Sequence, residues 1–397
     1  MKIALAHKRL DSRGGTERVL LQSAIGLRDR GHEVHLFCQK FCIEPPAGVI
    51  AHWIPGLAQP RTMRLLTFGV LAPLVIRQFG CDVVVSFDRL IKQDVFRSGG
   101  GPHKVFIEKM RRQSGRLKSL WYDLSSYHRL ALAIERIQLS VAGSRRVIAV
   151  CERTKREIVE AYAVPDEKVV VIHNGVDHER FHPRLRAGTG RRIRAQFAIP
   201  DESRVVLFVG SGFRRKGLER LLRLWRDGSA SDLHLLVVGN DARLAQYRSA
   251  WSKHPRVHFA GPRTNVEEFY AAGDLLALPS VQEAFGNAVL EGLAAGLPII
   301  TVDGVGALDK VTGELRAGIL QDPDDPAELQ RKMFWLLDAA RWPELSRQAR
   351  DMAERYTWKD YIQKFEALLF DLRDQGASER SAARVAVPTL SGPHRSR

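Results

Sequence analysis

An alternation of short apolar runs with amphipathic segments, met twice in one chain, constrains the fold more than any other feature. Residues 3–6 (Ile-Ala-Leu-Ala) read as a buried strand; a loop holding Gly14 and Gly15 follows, then Thr16–Arg30, where Leu20, Ala24 and Leu27 recur at helical spacing. Thr16 is placed to cap that helix and Gly31 to close it, ahead of a strand at Val34–Phe37. Further strands read at Val83–Ser86, Val147–Val150 and Val169–Ile172, with a loop through Gly99-Gly100-Gly101 and helical stretches near 120–140 and at 152–162. Apolar strands separated by amphipathic helices imply a parallel sheet covered on both faces.

The segment His173–Arg192, marked by Asn174-Gly175, Pro183, Gly188 and Gly190, reads as a linker. The alternation then restarts with strand Val205–Val209, a loop from Gly210 to Gly217, a helix from near Leu218 and strand Leu233–Val238. Strands at Leu275–Leu278 and Ile299–Val302 bracket a helix near 286–295. The expected fold class is therefore α/β, with two Rossmann-like parallel-sheet domains facing across a cleft, and 397 residues suit two such units. Their expected bounds are 1–175 and 176–357, followed by an amphipathic helix at 358–375. From Gly376 to Arg397, Ser, Ala, Arg, Pro and Gly accumulate without periodicity, so this tail is expected to be disordered.

Composition narrows the classes further. Lys8, Arg9, Asp11 and Arg13 interrupt any apolar run at the amino terminus, which speaks against a secretory signal. The most apolar stretch, Leu65–Ile76, is shorter than the roughly 20 residues a bilayer requires and holds Gly69 and Pro73, so it is not expected to span. Cys38, Cys42, Cys81 and Cys151 read as reduced thiols, and no second pair or nearby histidine cluster completes a metal set.

The net charge is +16, and residues 1–180 hold the excess, with 29 basic against 18 acidic side chains. Lys104–Lys118 holds six basic residues against one acid, Glu108, interleaved with Val105, Phe106, Ile107, Met110 and Leu117. Such a patch suits anionic lipid headgroups, a phosphorylated acceptor or nucleic acid, or serves as a solvated face. Neither an RRM-like nor a zinc-finger pattern appears, so no nucleic-acid partner is expected.

Four constellations carry chemistry. The first is Glu283-Ala-Phe285-Gly286-Asn287 with Glu291, after strand Leu275–Leu278. A chain that leaves a strand, turns at small residues and enters a helix presents free amides, here of Phe285, Gly286 and Asn287, to a diphosphate. Glu283 and Glu291 would stand roughly 12 Å apart on the helical rise if both were helical, so one carboxylate suits a sugar hydroxyl and the other a ribose diol.

The second is Gly210-Ser-Gly-Phe-Arg-Arg-Lys-Gly217, where cations on a glycine-permitted turn can neutralise a leaving diphosphate. The third is Gly14-Gly15-Thr16, glycines that allow close backbone approach to phosphate at a helix start. The fourth is Gly99-Gly-Gly-Pro-His103, a loop ending in a histidine suited to a sugar or an acceptor hydroxyl. No Asp or Glu stands out as a sugar nucleophile, which points away from double displacement.

Glu283 and Glu291 at this spacing, Phe285-Gly286 after the first, and Gly296-Leu297-Pro298-Ile299 beyond resemble the signature of glycosyltransferase family 4. His173-Asn174-Gly175-Val176-Asp177 with Phe181 and Pro183 resembles that family's interdomain segment, and the likeness runs to about residue 372. It implies the GT-B fold and a retaining, metal-independent transfer from a nucleotide sugar. Glu283 would bind the donor sugar, Glu291 the ribose, and the amides of Phe285, Gly286 and Asn287 the diphosphate or sugar. Lys216 with an arginine, Arg215 or Arg214, would neutralise the leaving group; Gly14 and Gly15 would face the donor diphosphate and acceptor, and a catalytic His103 would contact the donor sugar or polarise an acceptor hydroxyl.

Gly210–Gly217, the Gly14-Gly15 loop and Phe87-Asp-Arg-Leu before Asp94-Val95-Phe96 resemble members that glucosylate an inner-core heptose of lipopolysaccharide. The implied donor is UDP-glucose, and the implied location is cytoplasmic, peripheral to the anionic face of the inner membrane. The alternative within the family is a mannosyl- or N-acetylglucosaminyltransferase acting on another lipid-linked glycan.

Overall fold

A computed structural model describes residues 1–11, 14–112, 121–281 and 283–385. The first sheet comprises β1 (Lys2–Ala6), β2 (Glu33–Cys38), β3 (Ile50–Trp53), β4 (Val83–Ser86), β5 (Val95–Ser98), β6 (Arg146–Ala149) and β7 (Val169–Val171). The second comprises β8 (Arg204–Val209), β9 (Leu233–Val238), β10 (Val257–Gly261), β11 (Leu275–Leu278), β12 (Ile299–Val302) and β13 (Ile319–Leu320). Strand orders are β3-β2-β1-β4-β5-β6-β7 and β10-β9-β8-β11-β12-β13, with every neighbouring pair parallel.

In both sheets the order reverses beside the first strand, between β1 and β4 and between β8 and β11. Loops leaving the carboxyl ends of those strands diverge and open a crevice there. Gly14-Gly15 follow β1, Gly210–Gly217 follow β8 and Glu283–Asn287 follow β11, so three of the four sequence motifs are delivered to switch points.

The strands β3, β5, β10 and β13 are additions to the sequence reading. Each is short or carries polar residues that break an apolar run: β5 reads Val-Phe-Arg-Ser and β3 Ile-Ala-His-Trp. They form because neighbouring strands supply their ladders, a tertiary effect that local pattern does not contain.

The segment read as a linker is largely ordered. Short helical turns at Pro183–Leu185 and Arg186–Gly190 and the helix Arg191–Gln196 pack on the second domain. There Arg194 donates to Asp274 at 2.7 Å, and Arg186 also pairs with that carboxylate. A Cβ at Gly190 would stand 2.3 Å from the Ala271 carbonyl, which is why the turn needs glycine. The chain crosses between domains beside its return: Val176 bridges Thr357, and the Val176 amide donates to the Tyr356 carbonyl at 3.1 Å.

The final helix, Trp358–Val385, returns to the first domain. Tyr361, Ile362, Phe365, Leu368, Leu369 and Leu372 are buried in one cluster with Ile3, Leu5, Leu20 and Val85. At its edge Glu366 accepts from His32 at 2.8 Å and from Arg30 at 2.6 Å. The helix runs ten residues past the point where the composition suggested order would end, and 386–397 lie outside the described residues. Ala, Glu and Arg propagate a helix once its docked turns have paid for nucleation, and the next proline is Pro388. Among the described residues no helix is long and apolar enough to cross a membrane.

Candidate active site

The helix Asn287–Ala294 starts behind Gly286, whose φ of 79° is left-handed and whose Cβ would stand 2.5 Å from Val305. Only glycine makes this turn without strain. The amides of Gly286 and Asn287 stand at the helix N-terminus, where the helix itself offers no acceptor. Phe285 is buried against Tyr356 and His173 and its carbonyl accepts from the Ala307 amide at 2.8 Å, so it anchors the turn.

Glu283 lies ahead of the helix, in the turn, so the helical rise does not describe its separation from Glu291. Its carboxylate pairs with Lys216, and Arg215 Nη1 stands 4.0 Å from the same oxygen. The sequence left Arg214 and Arg215 open; Arg215 faces Glu283, whereas the charge of Arg214 acts on Glu219. The loop carrying these cations contains a helical turn, Phe213–Lys216, which ends at Gly217 with φ 84°. A Cβ at Gly217 would stand 2.0 Å from the Pro279 carbonyl, so this glycine lets the loops after β8 and β11 touch. That approach delivers Lys216, only 8% exposed, to Glu283.

Glu291 is buried, 6% exposed, on the helix face turned to the cleft. Tyr270 donates to it at 2.9 Å, and Arg18 of the first domain donates to its other oxygen. The carboxylate holds the Tyr270 phenol protonated, since burial and the neighbouring charge both raise its pKa.

The helix after β1 is Gly15–Asp29, with Gly14 in the N-cap place rather than Thr16. Gly15 faces the second domain: a Cβ there would stand 2.9 Å from Asn287 Nδ2. Asn287 Oδ1 accepts from Asn174 Nδ2 at 2.7 Å. Gly15 of the first domain thus faces Asn287 of the second across the cleft, and Lys216, Arg215 and Glu283 converge beside the same helix start.

His103 keeps different company. It opens the helix His103–Arg112, and its backbone amide donates to both oxygens of Glu135 at 2.8 and 2.9 Å. Its ring Nε2 meets His128 Nδ1 at 2.9 Å and packs against Phe106 and Tyr127. Burial, then Arg89, His128 and Arg61, push its pKa down to about 3, so the ring is neutral near pH 7. All of these contacts lie within the first domain. Of the basic patch, Lys109 pairs with Glu157 at 2.7 Å, and positions 113–118 lie outside the described residues.

Contacts that the sequence did not foretell complete the cleft. Arg153 of the first domain donates to the Glu283 carbonyl and, at 3.0 Å, to that of Asp303. His173 pairs with Asp309 at 2.8 Å. Beneath the Gly14-Gly15 loop, His7 lies 3.7 Å from both Glu17 and Asp88, and Lys8 lies 2.8 Å from Asp88. Lys8 and His7 hold the buried Asp88 carboxyl well below its ordinary range despite the cost of desolvation. Each contact joins residues from separate segments, which share no spacing signal, so these contacts were not legible.

Two family models match the chain, one described as glycosyltransferase family 4 over residues 13–180 and one as glycosyl transferases group 1 over residues 190–356. The chain is a family 4 glycosyltransferase with the GT-B fold.

Among characterised relatives, this glycosyltransferase is 24% identical to the lipopolysaccharide glucosyltransferase WaaG of Escherichia coli K12, over 87% of this chain and 92% of that one. It is 26% identical to the D-inositol 3-phosphate glycosyltransferase of Acidothermus cellulolyticus, over 96% and 90% respectively. The crystal structure of WaaG superposes with a TM-score of 0.78 at 22% identity, covering 92% of this chain and 99% of that one. Anabaena HepE in complex with UDP-glucose superposes with a TM-score of 0.67 at 18% identity, over 94% and 100%.

Proposed function

We propose that this enzyme transfers glucose, with retention, from UDP-glucose to an inner-core heptose of lipopolysaccharide at the cytoplasmic membrane face. The observation that carries the reading is the convergence of Lys216, Arg215 and Glu283 on the start of the helix Asn287–Ala294, opposite Gly15. In this reading the diphosphate lies on the amides of Phe285, Gly286 and Asn287, with Lys216 and Arg215 supplying charge as the phosphate leaves.

Glu283, held by Lys216, accepts from a donor-sugar hydroxyl. Glu291 accepts from the ribose diol once Arg18 yields its place. The leaving phosphate takes the acceptor proton on the face it departs, so the protein contributes placement and charge and needs no carboxylate nucleophile. In this reading Lys216 and Arg215 supply the charge that a metal would otherwise bring, and the transfer is metal-independent. His103 is assigned to the acceptor side, at the end of the loop that begins behind β5. The similarity to WaaG and the binding of UDP-glucose by HepE support the donor, and the basic first domain suits a phosphorylated core and an anionic surface.

A second acceptor class is favoured by the inositol 3-phosphate enzymes, which are as similar in sequence as WaaG: a phosphorylated polyol would also seek the basic first domain. Purified enzyme incubated with UDP-glucose, UDP-N-acetylglucosamine and GDP-mannose, each against heptose-terminated lipopolysaccharide and inositol 3-phosphate, separates these. Turnover of UDP-glucose onto heptose with an α-linked product is expected; no turnover with UDP-glucose overturns the donor, and transfer to inositol phosphate alone overturns the acceptor.

A further inference from the structure

Arg97, on β5, is 1% exposed, and among the described residues no carboxylate pairs with it. Its Nη2 donates to Asn174 Oδ1 at 2.5 Å, the Tyr361 hydroxyl lies against it, and its Nε has no partner among the described residues. A buried cation without a counter-ion is costly, and its position ties it to the cleft. A Cβ on Gly99 would stand 2.9 Å from Arg97 Nη1 and 3.4 Å from Thr16 Oγ1.

A guanidinium only donates. Asn174 must therefore turn its oxygen to Arg97, which leaves its NH2 toward Asn287 at 2.7 Å. Asn287 must accept with its oxygen, and its own NH2 is left beside Gly15. One donor-only charge fixes the orientation of two amides in series. We propose that Arg97 is a positioning residue: through Asn174 it holds Asn287 with its N–H donors, and not its carbonyl, toward a diphosphate bound at Gly15 and the helix start. The inference rests on the donor site proposed above. Because the relay begins in the first sheet, passes through the crossing segment and ends in the second domain, it is complete only when the domains are closed.

Asn174→Asp gives the test, since a purely structural role and the relay make opposite demands on it. The carboxylate supplies Arg97 with a counter-ion, but it accepts on both sides, so Asn287 must turn its NH2 inward and show its oxygen to the cleft. The expected result is a thermal midpoint equal to or above that of the unsubstituted enzyme, with at least tenfold weaker UDP binding by calorimetry. In an Asn287→Ala background the same change should cost no further affinity.

Arg97→Lys, which keeps a donor-only charge, should retain affinity within about threefold and Arg97→Gln, whose oxygen lets Asn174 flip, should lose about tenfold; this pair decides the matter if N174D does not fold. Unchanged UDP binding by a folded N174D, or equal affinities for the two Arg97 variants, overturns the relay alone. No UDP binding by the unsubstituted enzyme overturns the donor site and the relay with it.

Discussion

Arg18, on the first helix of the amino-terminal domain, donates to the carboxylate of Glu291 in the second domain, and the two close the cleft from opposite sides. Glu291 keeps its other oxygen on Tyr270, 2.9 Å away and fully inside the second domain. The carboxylate therefore belongs to the second domain and the guanidinium is the part that can leave. Arg18→Ala removes a cross-domain tie without unpairing Glu291. Its radius of gyration by solution scattering, without nucleotide, is expected to exceed that of the unsubstituted enzyme, and UDP is expected to restore compactness in both. Identical scattering curves without nucleotide would show that Arg18 does not hold the domains together.

Lys216 is the buried cation nearest the proposed leaving group. Lys216→Met keeps its stem packed under Gly210 and removes the charge. A roughly 100- to 1000-fold fall in kcat is expected, the size found when one pre-organised electrostatic group is lost. Initial rates with UDP-glucose measure it, and a loss below fivefold would place Lys216 outside the reaction.

Glu291 has a separable role. Glu291→Gln keeps the shape and the Tyr270 contact but weakens acceptance from a diol, so the KM for UDP-glucose should rise about tenfold, one charge-assisted hydrogen bond, with kcat within threefold. The enzyme's rate should also survive full chelation by EDTA, because Lys216 and Arg215 carry the charge that a metal would otherwise supply. Steady-state kinetics with and without chelator tests both statements.

His103 links stability to pH. Its folded pKa is depressed to about 3, below the ordinary histidine value. The unfolded chain therefore binds this proton more readily, and the stability contributed by neutral His103 is complete above about pH 6.5 and is lost progressively toward the folded value. His103→Gln should flatten the fall of the thermal midpoint between pH 6.5 and 4.5, leaving the contribution of the other depressed histidines, His128 and His234 among them. Calorimetric scans at half-unit intervals check the slope, and parallel profiles would exclude the role.

Local pattern determined much of this enzyme. Strand, glycine turn and helix repeat along the chain because parallel strands buried on both faces must be apolar and the turns between them must relax their backbone. From that alone come the two sheets, the helix start at Asn287 and the cations beside Gly217. The carboxylate pair is equally legible, since Glu283 and Glu291 flank a turn that small residues announce.

Contacts between distant segments were decided by the tertiary structure. Arg97 sits on β5, a four-residue strand with a charge in it, and becomes meaningful only when Asn174 and Asn287 arrive from 77 and 113 positions further along each step. Arg18 meets Glu291 across 273 positions. His103 was read from its glycine loop, yet its helix start is capped by Glu135 and its ring is held by His128. Hydrophobic periodicity reports which face of an element is buried; it carries no record of which polar group on another domain will stand opposite, because that choice is made by how two finished cores dock.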